Sequence, residues 1–353
     1  MGARRGGGGS PPAGEGAVSP PSGDPPPFLP RPAPPNNSGL HGLTSSQEDE
    51  LPRGMSPFVD LSSGGMGIME AAKVVLFSPL VAVVFVLVFL ELVLLTVAVK
   101  VVLALDLAPE RRLRLMRGVS RALLTLLVRT LGFQIKVRGR EHLEAAERRR
   151  KPFVVIGNHT TFFDSFAAGS VLGCFQSVAR QDVAATPLMG TIARAWGSTF
   201  IDRSARGEGV VKVITEKASD PDVGVGKGPM LLFPEGTTSN GQCLLSFRTG
   251  AFVAGLPVLP MVLQFRCGPL NPCWVAPHDN FMLFCRIVLC WRKTLEVQVL
   301  PLRHPSAGER ADPKRYASNV ADEMGRVMGV RALRGWNNID ALEFNKKLYN
   351  FVG

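Results

Sequence analysis

The sequence predicts an α/β domain that carries an apolar membrane segment and a polar N-terminal tail. Three observations lead there. Short β-like runs alternate with helix-like stretches between residues 133 and 330, as strands joined by helical connections do. Residues 74–105 are almost continuously apolar. Residues 1–55 are rich in Pro, Gly and Ser, and such a composition cannot bury enough apolar surface to offset the entropy of ordering, so this tail is expected to be disordered. At 353 residues the chain has room for one large domain or two modest ones.

In the tail, Met1-Gly2 resembles a myristoylation start, but position 6 is Gly where Ser or Thr is needed. No apolar core closely follows Arg4-Arg5, so the tail is not a standard signal peptide, and the acidic Glu48-Asp49-Glu50 argues against a plastid transit peptide. Residues 70–106 form the expected membrane segment. A bilayer core of about 30 Å needs roughly 20 apolar residues as a helix, and residues 80–99 supply them with the single charge of Glu91. Pro79, Glu91 and Lys100 interrupt the run, which leaves both a single span and a re-entrant hairpin open. Glu91 is costly in lipid and is expected to face protein, water or the interface. Residues 107–132 read as a basic amphipathic helix at the membrane interface, with Arg111, Arg114, Arg117 and Arg121 on one face and Leu113, Met116, Leu123 and Leu127 on another. Arginines close behind the span favour a cytosolic C-terminal domain.

Residues 133–138 alternate apolar and polar, as a half-buried strand does, and a helix is expected from Glu141. Further strands are expected at 153–156, 176–180, 199–201, 230–233, 258–265 and 295–300, with helices at 190–196, 209–218 and 311–328. Residues 331–353 form a C-terminal extension. Gly224-Val225-Gly226-Lys227-Gly228 resembles a phosphate loop but precedes a strand instead of opening a helix, so it is read as a turn.

The chemistry concentrates after the strand Phe153-Val154-Val155-Ile156. The next residues, Gly157-Asn158-His159-Thr160-Thr161-Phe162-Phe163-Asp164-Ser165, place an imidazole and a carboxylate close together past a strand end, where an α/β sheet presents residues to a ligand. An imidazole can take a proton from a hydroxyl at neutral pH, and a carboxylate on its other nitrogen fixes the tautomer. No Ser or Cys stands in an elbow motif, so the nucleophile would come from the substrate. On spacing alone, His159 could equally be a backbone partner and Asp164 a helix cap.

Four further blocks bear on this choice: Gly197-Ser198-Thr199-Phe200-Ile201-Asp202-Arg203, then Phe233-Pro234-Glu235-Gly236-Thr237-Thr238-Ser239-Asn240, then Phe247-Arg248-Thr249-Gly250-Ala251-Phe252, then Val258-Leu259-Pro260-Met261. In this order and spacing, residues 153–263 resemble the glycerolipid acyltransferase family. Most lysophosphatidic acid acyltransferases of that family carry Arg after Glu-Gly-Thr; here Thr238 stands in that place. The Thr-Thr-Ser-Asn and Phe-Arg-x-Gly-Ala-Phe runs, with Asp312-Pro313-Lys314-Arg315-Tyr316-Ala317-Ser318-Asn319, are more similar to the lysophosphatidylcholine and lysophosphatidylethanolamine acyltransferases.

The resemblance implies a mixed sheet flanked by helices over residues 133–330, and esterification of a lysophospholipid hydroxyl by acyl-CoA. It implies His159 as general base and Asp164 as its partner. It places Gly197, Arg203, Glu235, Gly236, Thr237, Thr238 and Arg248 at the substrates, Glu235 either on the acceptor or organising its loop, and Pro260 beside an acyl-chain groove. Acyl-CoA is a co-substrate, and neither a cofactor nor a metal is implied. The alternatives are a lysophosphatidic acid or glycerol-3-phosphate acceptor, and a catalytically inactive lipid-binding protein. The family further suggests the endoplasmic reticulum membrane.

The formal charge of +11 and pI near 9.8 suit an anionic membrane surface or nucleic acid. With 2 Tyr, 4 Trp and no nucleic-acid module, the membrane is favoured. The six cysteines, Cys174, Cys243, Cys267, Cys273, Cys285 and Cys290, form no Cys-x2-Cys pair and lie in apolar stretches, as buried free thiols do. A Cys267–Cys273 disulfide stays open for a loop that faces a lumen.

Overall fold

The computed structural model describes residues 57–58, 68–201, 208–223, 227–268, 270–275 and 280–335. The Pro/Gly/Ser-rich tail, Asp202, Arg203, most of the 224–228 turn and the chain beyond residue 335 lie outside the described residues. Three helices come first: α1 (Ile68–Leu76), α2 (Ser78–Ala104) and α3 (Pro109–Thr130). The α/β part follows as β1 (Gln134–Arg138), α4 (Arg140–Arg148), β2 (Val154–Gly157), α5 (Asp164–Leu172), β3 (Val178–Arg180), α6 (Gln181–Ala185), α7 (Pro187–Ala195), β4 (Thr199–Ile201), α8 (Glu208–Ala218), β5 (Met230–Leu232), β6 (Cys243–Leu244), β7 (Val258–Arg266), α9 (Asn280–Val288), β8 (Thr294–Val299), α10 (Ala307–Ala311), α11 (Pro313–Met328) and β9 (Arg331–Ala332).

Five strands form a mixed sheet in the order β1-β8-β7-β2-β5. β7, β2 and β5 run parallel, and β8 is antiparallel to β7. β2 is buried along its whole length, which explains why its sequence is a plain apolar run instead of an alternating one. Side chains alternate across the pleat. One face carries Val155, Leu231, Leu259 and Met261 against Ala167 and Val171 of α5, Leu127 of α3 and Ile287 of α9. The other carries Val154, Ile156, Met230, Val258 and Val262 against Tyr316, Val320 and Met324 of α11. Each of these fully buried aliphatic side chains is worth roughly 1.5–3 kcal/mol of transfer free energy.

α2 runs unbroken for 27 residues, roughly 40 Å at the helical rise, so the chain does not reverse at Pro79 or Glu91. Pro79 lies in the first turn, where a missing N–H is tolerated. Among the described residues α2 is the one helix long and apolar enough to cross a membrane. Val81, Leu95, Val99 and Val102 on one face are buried, whereas Phe85, Phe89, Leu90 and Leu94 are exposed. Glu91 faces protein: the Thr130 hydroxyl at the end of α3 donates to its Oε1 at 2.6 Å.

α3 divides the expected basic face. It packs against α5 and buries Met116, Ser120, Leu124 and Leu127, which carries the flanking arginines inward. Arg117 donates to the Leu172 carbonyl at 3.2 Å and pairs with Glu147, and Arg121 is half-buried; Arg111 and Arg114 stay exposed.

Other boundaries shift for local reasons. The helix expected over 311–328 is α11, which starts at Pro313 because Asp312 caps it by accepting from the N–H groups of Lys314 and Arg315, and the short α10 precedes it. Residues 331–333 pack on the domain, since β9 pairs with β6 and Leu333 donates to the Leu244 carbonyl at 2.8 Å. All six cysteines are free thiols and five are buried, so Cys267 and Cys273 are not bridged.

Beyond Gly157 a side chain continues the β2–β7 ladder. Asn158 is fully buried; its Nδ2 donates to the Leu263 carbonyl at 2.9 Å and its Oδ1 accepts from the Leu263 N–H at 2.7 Å. Replacing it with Leu leaves two buried backbone groups unpaired, at about 1–3 kcal/mol each. Asn158→Leu is therefore expected to lower the chemical-denaturation stability of the purified protein by about 2–4 kcal/mol.

Candidate active site

β2 and β5 are adjacent and parallel, with Ile156 opposite Leu232. The His159 segment and the Glu235 segment therefore leave the same edge of the sheet side by side, at the carboxyl ends of the strands. That alignment makes the site.

His159 Nδ1 lies 2.8 Å from Asp164 Oδ2. The same oxygen accepts the backbone N–H groups of Thr160 at 2.7 Å and Thr161 at 2.9 Å. Surrounded by donors, Oδ2 is the acceptor, so Nδ1 carries the hydrogen and Nε2 is the basic nitrogen. Asp164 is fully buried at the start of α5, and the His159 side chain is 26% exposed. Asp164 is not the N-cap of α5; that position is Phe163, and the carboxylate holds the loop before the helix.

Glu235 is fully buried and accepts twice. Its Oε1 takes the N–H of His159 at 2.7 Å and its Oε2 the N–H of Leu245 at 3.0 Å. The His159 carbonyl accepts from the Ser239 N–H at 3.1 Å. Both backbone groups of His159 are thus held by the Glu-Gly-Thr loop. Burial pushes the Glu235 carboxyl up to about 8, reinforced by the nearby Asp164 charge and opposed by the two N–H bonds.

The imidazole also stacks on Phe233, with centroids 4.6 Å apart and planes 18° from parallel. Gly157 leaves the room: a Cβ there would lie 2.7 Å from the Phe233 ring. Phe233 was legible only as the end of a strand, because no local periodicity reports a ring-on-ring contact between two loops.

The remaining site residues separate into three groups. Gly236, Thr237, Thr238 and Arg248 gather near Glu235. Gly236 has φ +70, and the Arg248 guanidinium passes 2.5 Å from where its Cβ would be. The Arg248 N–H donates to the Pro234 carbonyl at 2.9 Å, and Thr238 donates its hydroxyl to the Trp274 carbonyl at 2.6 Å. Gly197 and Pro260 stand apart from His159. Gly197 closes α7 at φ +83, beside Gln176, before the start of β4. Gln176 bridges to Met230, the first residue of β5, so Gly197 lies toward the sheet edge opposite the one that carries His159. Pro260 is buried in β7 opposite Ile156, and the pleat puts it on the face covered by α11. Arg203 lies outside the described residues.

The Acyltransferase family model matches residues 134–264, which contain β1, β2, β5, both motif loops and most of β7. Over these residues the chain is similar to the acyltransferases. The chain is 37% identical over 184 residues to the lysophospholipid acyltransferase LPEAT1 of Arabidopsis thaliana, covering 50% of this chain and 44% of that one. It is 31% identical over 223 residues to lysophosphatidylcholine acyltransferase 2 of Mus musculus, covering 61% of this chain and 39% of the relative. The chain therefore spans less than half the length of either curated relative. A crystal structure of the 1-acyl-sn-glycerophosphate acyltransferase PlsC from Thermotoga maritima aligns with 70% of this chain at TM-score 0.47 and 16% identity, a likeness too slight to add to the assignment.

Within the matched region, Glu235 has a stability signature. A carboxyl raised from 4.5 to about 8 on folding binds its proton more tightly in the folded state. Its contribution is complete below the unfolded value and is lost as pH rises through about 8. The thermal midpoint is expected to fall between pH 5 and pH 8.5, and Glu235→Gln is expected to flatten that fall. Melting curves of both proteins across the range check it.

Proposed function

We propose that this chain transfers an acyl group from acyl-CoA to the free hydroxyl of a lysophospholipid at a membrane surface. The observation that carries the reading is the His159 Nδ1–Asp164 Oδ2 bond at 2.8 Å on a partly exposed imidazole. It leaves Nε2 as a base aimed away from its carboxylate partner. The two relatives, a lysophospholipid acyltransferase and a lysophosphatidylcholine acyltransferase, support the choice of a lysophospholipid acceptor.

In the proposed reaction His159 Nε2 removes the acceptor hydroxyl proton as the oxygen attacks the thioester carbonyl. The C–O bond forms, the C–S bond breaks, and the coenzyme A thiolate leaves with the proton that the imidazolium returns. Asp164 offsets the imidazolium charge. General-base catalysis of this kind is worth about 10²–10⁴-fold. Arg248 and Arg203 are assigned to substrate phosphates, since a guanidinium matches phosphate geometry. Thr237, half-buried beside Gly236, is assigned to the oxyanion.

The exposed apolar face of α2 supports insertion in lipid. Trp291, 87% exposed, meets Phe77 edge-on at the other end of α2 from Arg111 and Arg114, and indole rings favour the headgroup level. We place the domain on the cytosolic face of the endoplasmic reticulum.

His159→Ala is expected to abolish coenzyme A release from acyl-CoA plus lysolipid by at least about 100-fold while the fold is retained. Near-normal turnover in that variant would remove His159 from the mechanism. A panel of lysophosphatidylcholine, lysophosphatidylethanolamine, lysophosphatidic acid and glycerol-3-phosphate is expected to rank the first two highest. Exclusive use of the last two would overturn the acceptor assignment.

A further inference from the structure

Two thiols that the proposed reaction does not use meet at the exit of β7. Cys267 directly follows that strand and is 1% exposed. Cys290 lies two residues beyond α9, in the turn that leads to β8, and is half-buried. The Cys290 thiol donates to the Cys267 carbonyl at 2.8 Å, and the two sulfhydryls are hydrogen-bond partners of each other.

The surroundings give the two sulfurs different reactivity. The hydrogen bond from Cys267 draws the Cys290 thiol down to about 7 against the effect of burial, and the Lys293 ammonium adds to it. The same hydrogen bond and burial push the Cys267 thiol up. Lys293 is fixed in place: its Nζ donates to the carbonyls of Ile287 at 2.9 Å and Val288 at 3.1 Å, at the end of α9. The thiolate is the nucleophile of a cysteine. Cys290, beside the exposed Trp291, is thus the attacking sulfur, and the sheltered Cys267 stands next to it as a resolving one.

The pair lies on a path to His159. The Cys267 carbonyl also accepts the Leu270 N–H at 3.0 Å, which closes the turn at the start of residues 270–275. Within that segment the Trp274 N–H donates to the Thr160 carbonyl at 2.7 Å, and the Trp274 carbonyl accepts the Thr238 hydroxyl at 2.6 Å. Thr160 follows His159, and its own N–H goes to Asp164 Oδ2 at 2.7 Å. A bond between Cys267 and Cys290 closes a loop that contains this segment and α9, and it removes the S–H that now holds the Cys267 carbonyl.

We propose that Cys267 and Cys290 form a reversible thiol–disulfide switch that slows acyl transfer when a hydroperoxide oxidises it. The Cys290 thiolate attacks a peroxide oxygen, the O–O bond breaks, and the departing oxygen takes up a proton. The Cys267 sulfur then attacks the resulting sulfenic acid, the S–O bond breaks, and the hydroxyl leaves as water with the Cys267 proton. Two electrons pass from the thiols to the peroxide, and a dithiol returns them. The disulfide shifts the turn at Cys267, and the Trp274 peptide carries the shift to the residue beside His159. A displacement of about 1 Å at a reacting group costs about 100-fold. The effect on turnover rests on the acyl-transfer reading above; formation of the disulfide does not.

The full chain in detergent micelles is treated with hydrogen peroxide, its remaining thiols are blocked, and its peptides are mapped by mass spectrometry before and after dithiothreitol. A linked Cys267–Cys290 peptide is expected, which dithiothreitol removes. Coenzyme A release is expected to fall at least about 10-fold on oxidation and to recover on reduction. Cys290→Ser keeps a donor for the Cys267 carbonyl and is expected to retain the reduced rate and lose the response to peroxide. Cys267→Ala is expected to stop at the Cys290 sulfenic acid, which dimedone labels. Absence of the linked peptide, or an oxidised rate equal to the reduced one, would overturn the proposal. Inhibition by peroxide that persists in Cys290→Ser would place the loss at another residue and overturn it too. A linked peptide with no release from the reduced protein would overturn the acyl-transfer reading, and with it the effect on turnover, and leave the thiol pairing standing.

Discussion

The peptide of His159 is held from both sides by the Glu-Gly-Thr loop, and the rest of the site depends on that grip. The N–H goes to Glu235 Oε1 and the carbonyl takes the Ser239 N–H. Together these two hydrogen bonds fix the backbone from which the imidazole projects. Asp164 then sets the rotation of the ring through Nδ1, and Phe233 supports its face. Two of these three supports, Glu235 and Phe233, come from the segment that leaves β5. The parallel pairing of β2 with β5 is therefore the structural condition for the placement of His159.

This arrangement explains why Glu235 is better understood as a clamp than as a ligand of substrate. It is fully buried, and each carboxyl oxygen already accepts a backbone N–H. A group so placed acts through His159 and the Leu245 segment. The cost is the burial of a carboxyl, visible as a pKa pushed up to about 8. Functional sites commonly retain such a group when it secures geometry.

The parts legible in the sequence were those with a local signal. The apolar run of β2, the alternation of β-like and helix-like stretches and the long apolar helix each follow from periodicity or composition. The motif residues were legible as types at a spacing, and the Nδ1–Asp164 contact matches the expectation from five-residue separation. What sequence reasoning missed depends on contacts between distant segments. The Phe233–His159 stack joins two loops, and the backbone of Trp274 ties the Thr160 segment to the Thr238 segment. Arg117 belongs to a basic stripe by helical spacing, but α5 packs beside it and draws it to the Leu172 carbonyl. Gly197, which the resemblance places at the substrates, is the residue that follows α7 in a left-handed conformation.

If Asp164 and His159 act as one unit, their losses do not multiply, because removing either disables the same step. The most direct measurement is kcat/KM for Asp164→Asn, His159→Ala and the double variant under one set of conditions. The account predicts that the double variant is no slower than His159→Ala alone. Losses that multiply across the two positions would mean that the carboxylate and the imidazole work separately, and would contradict it.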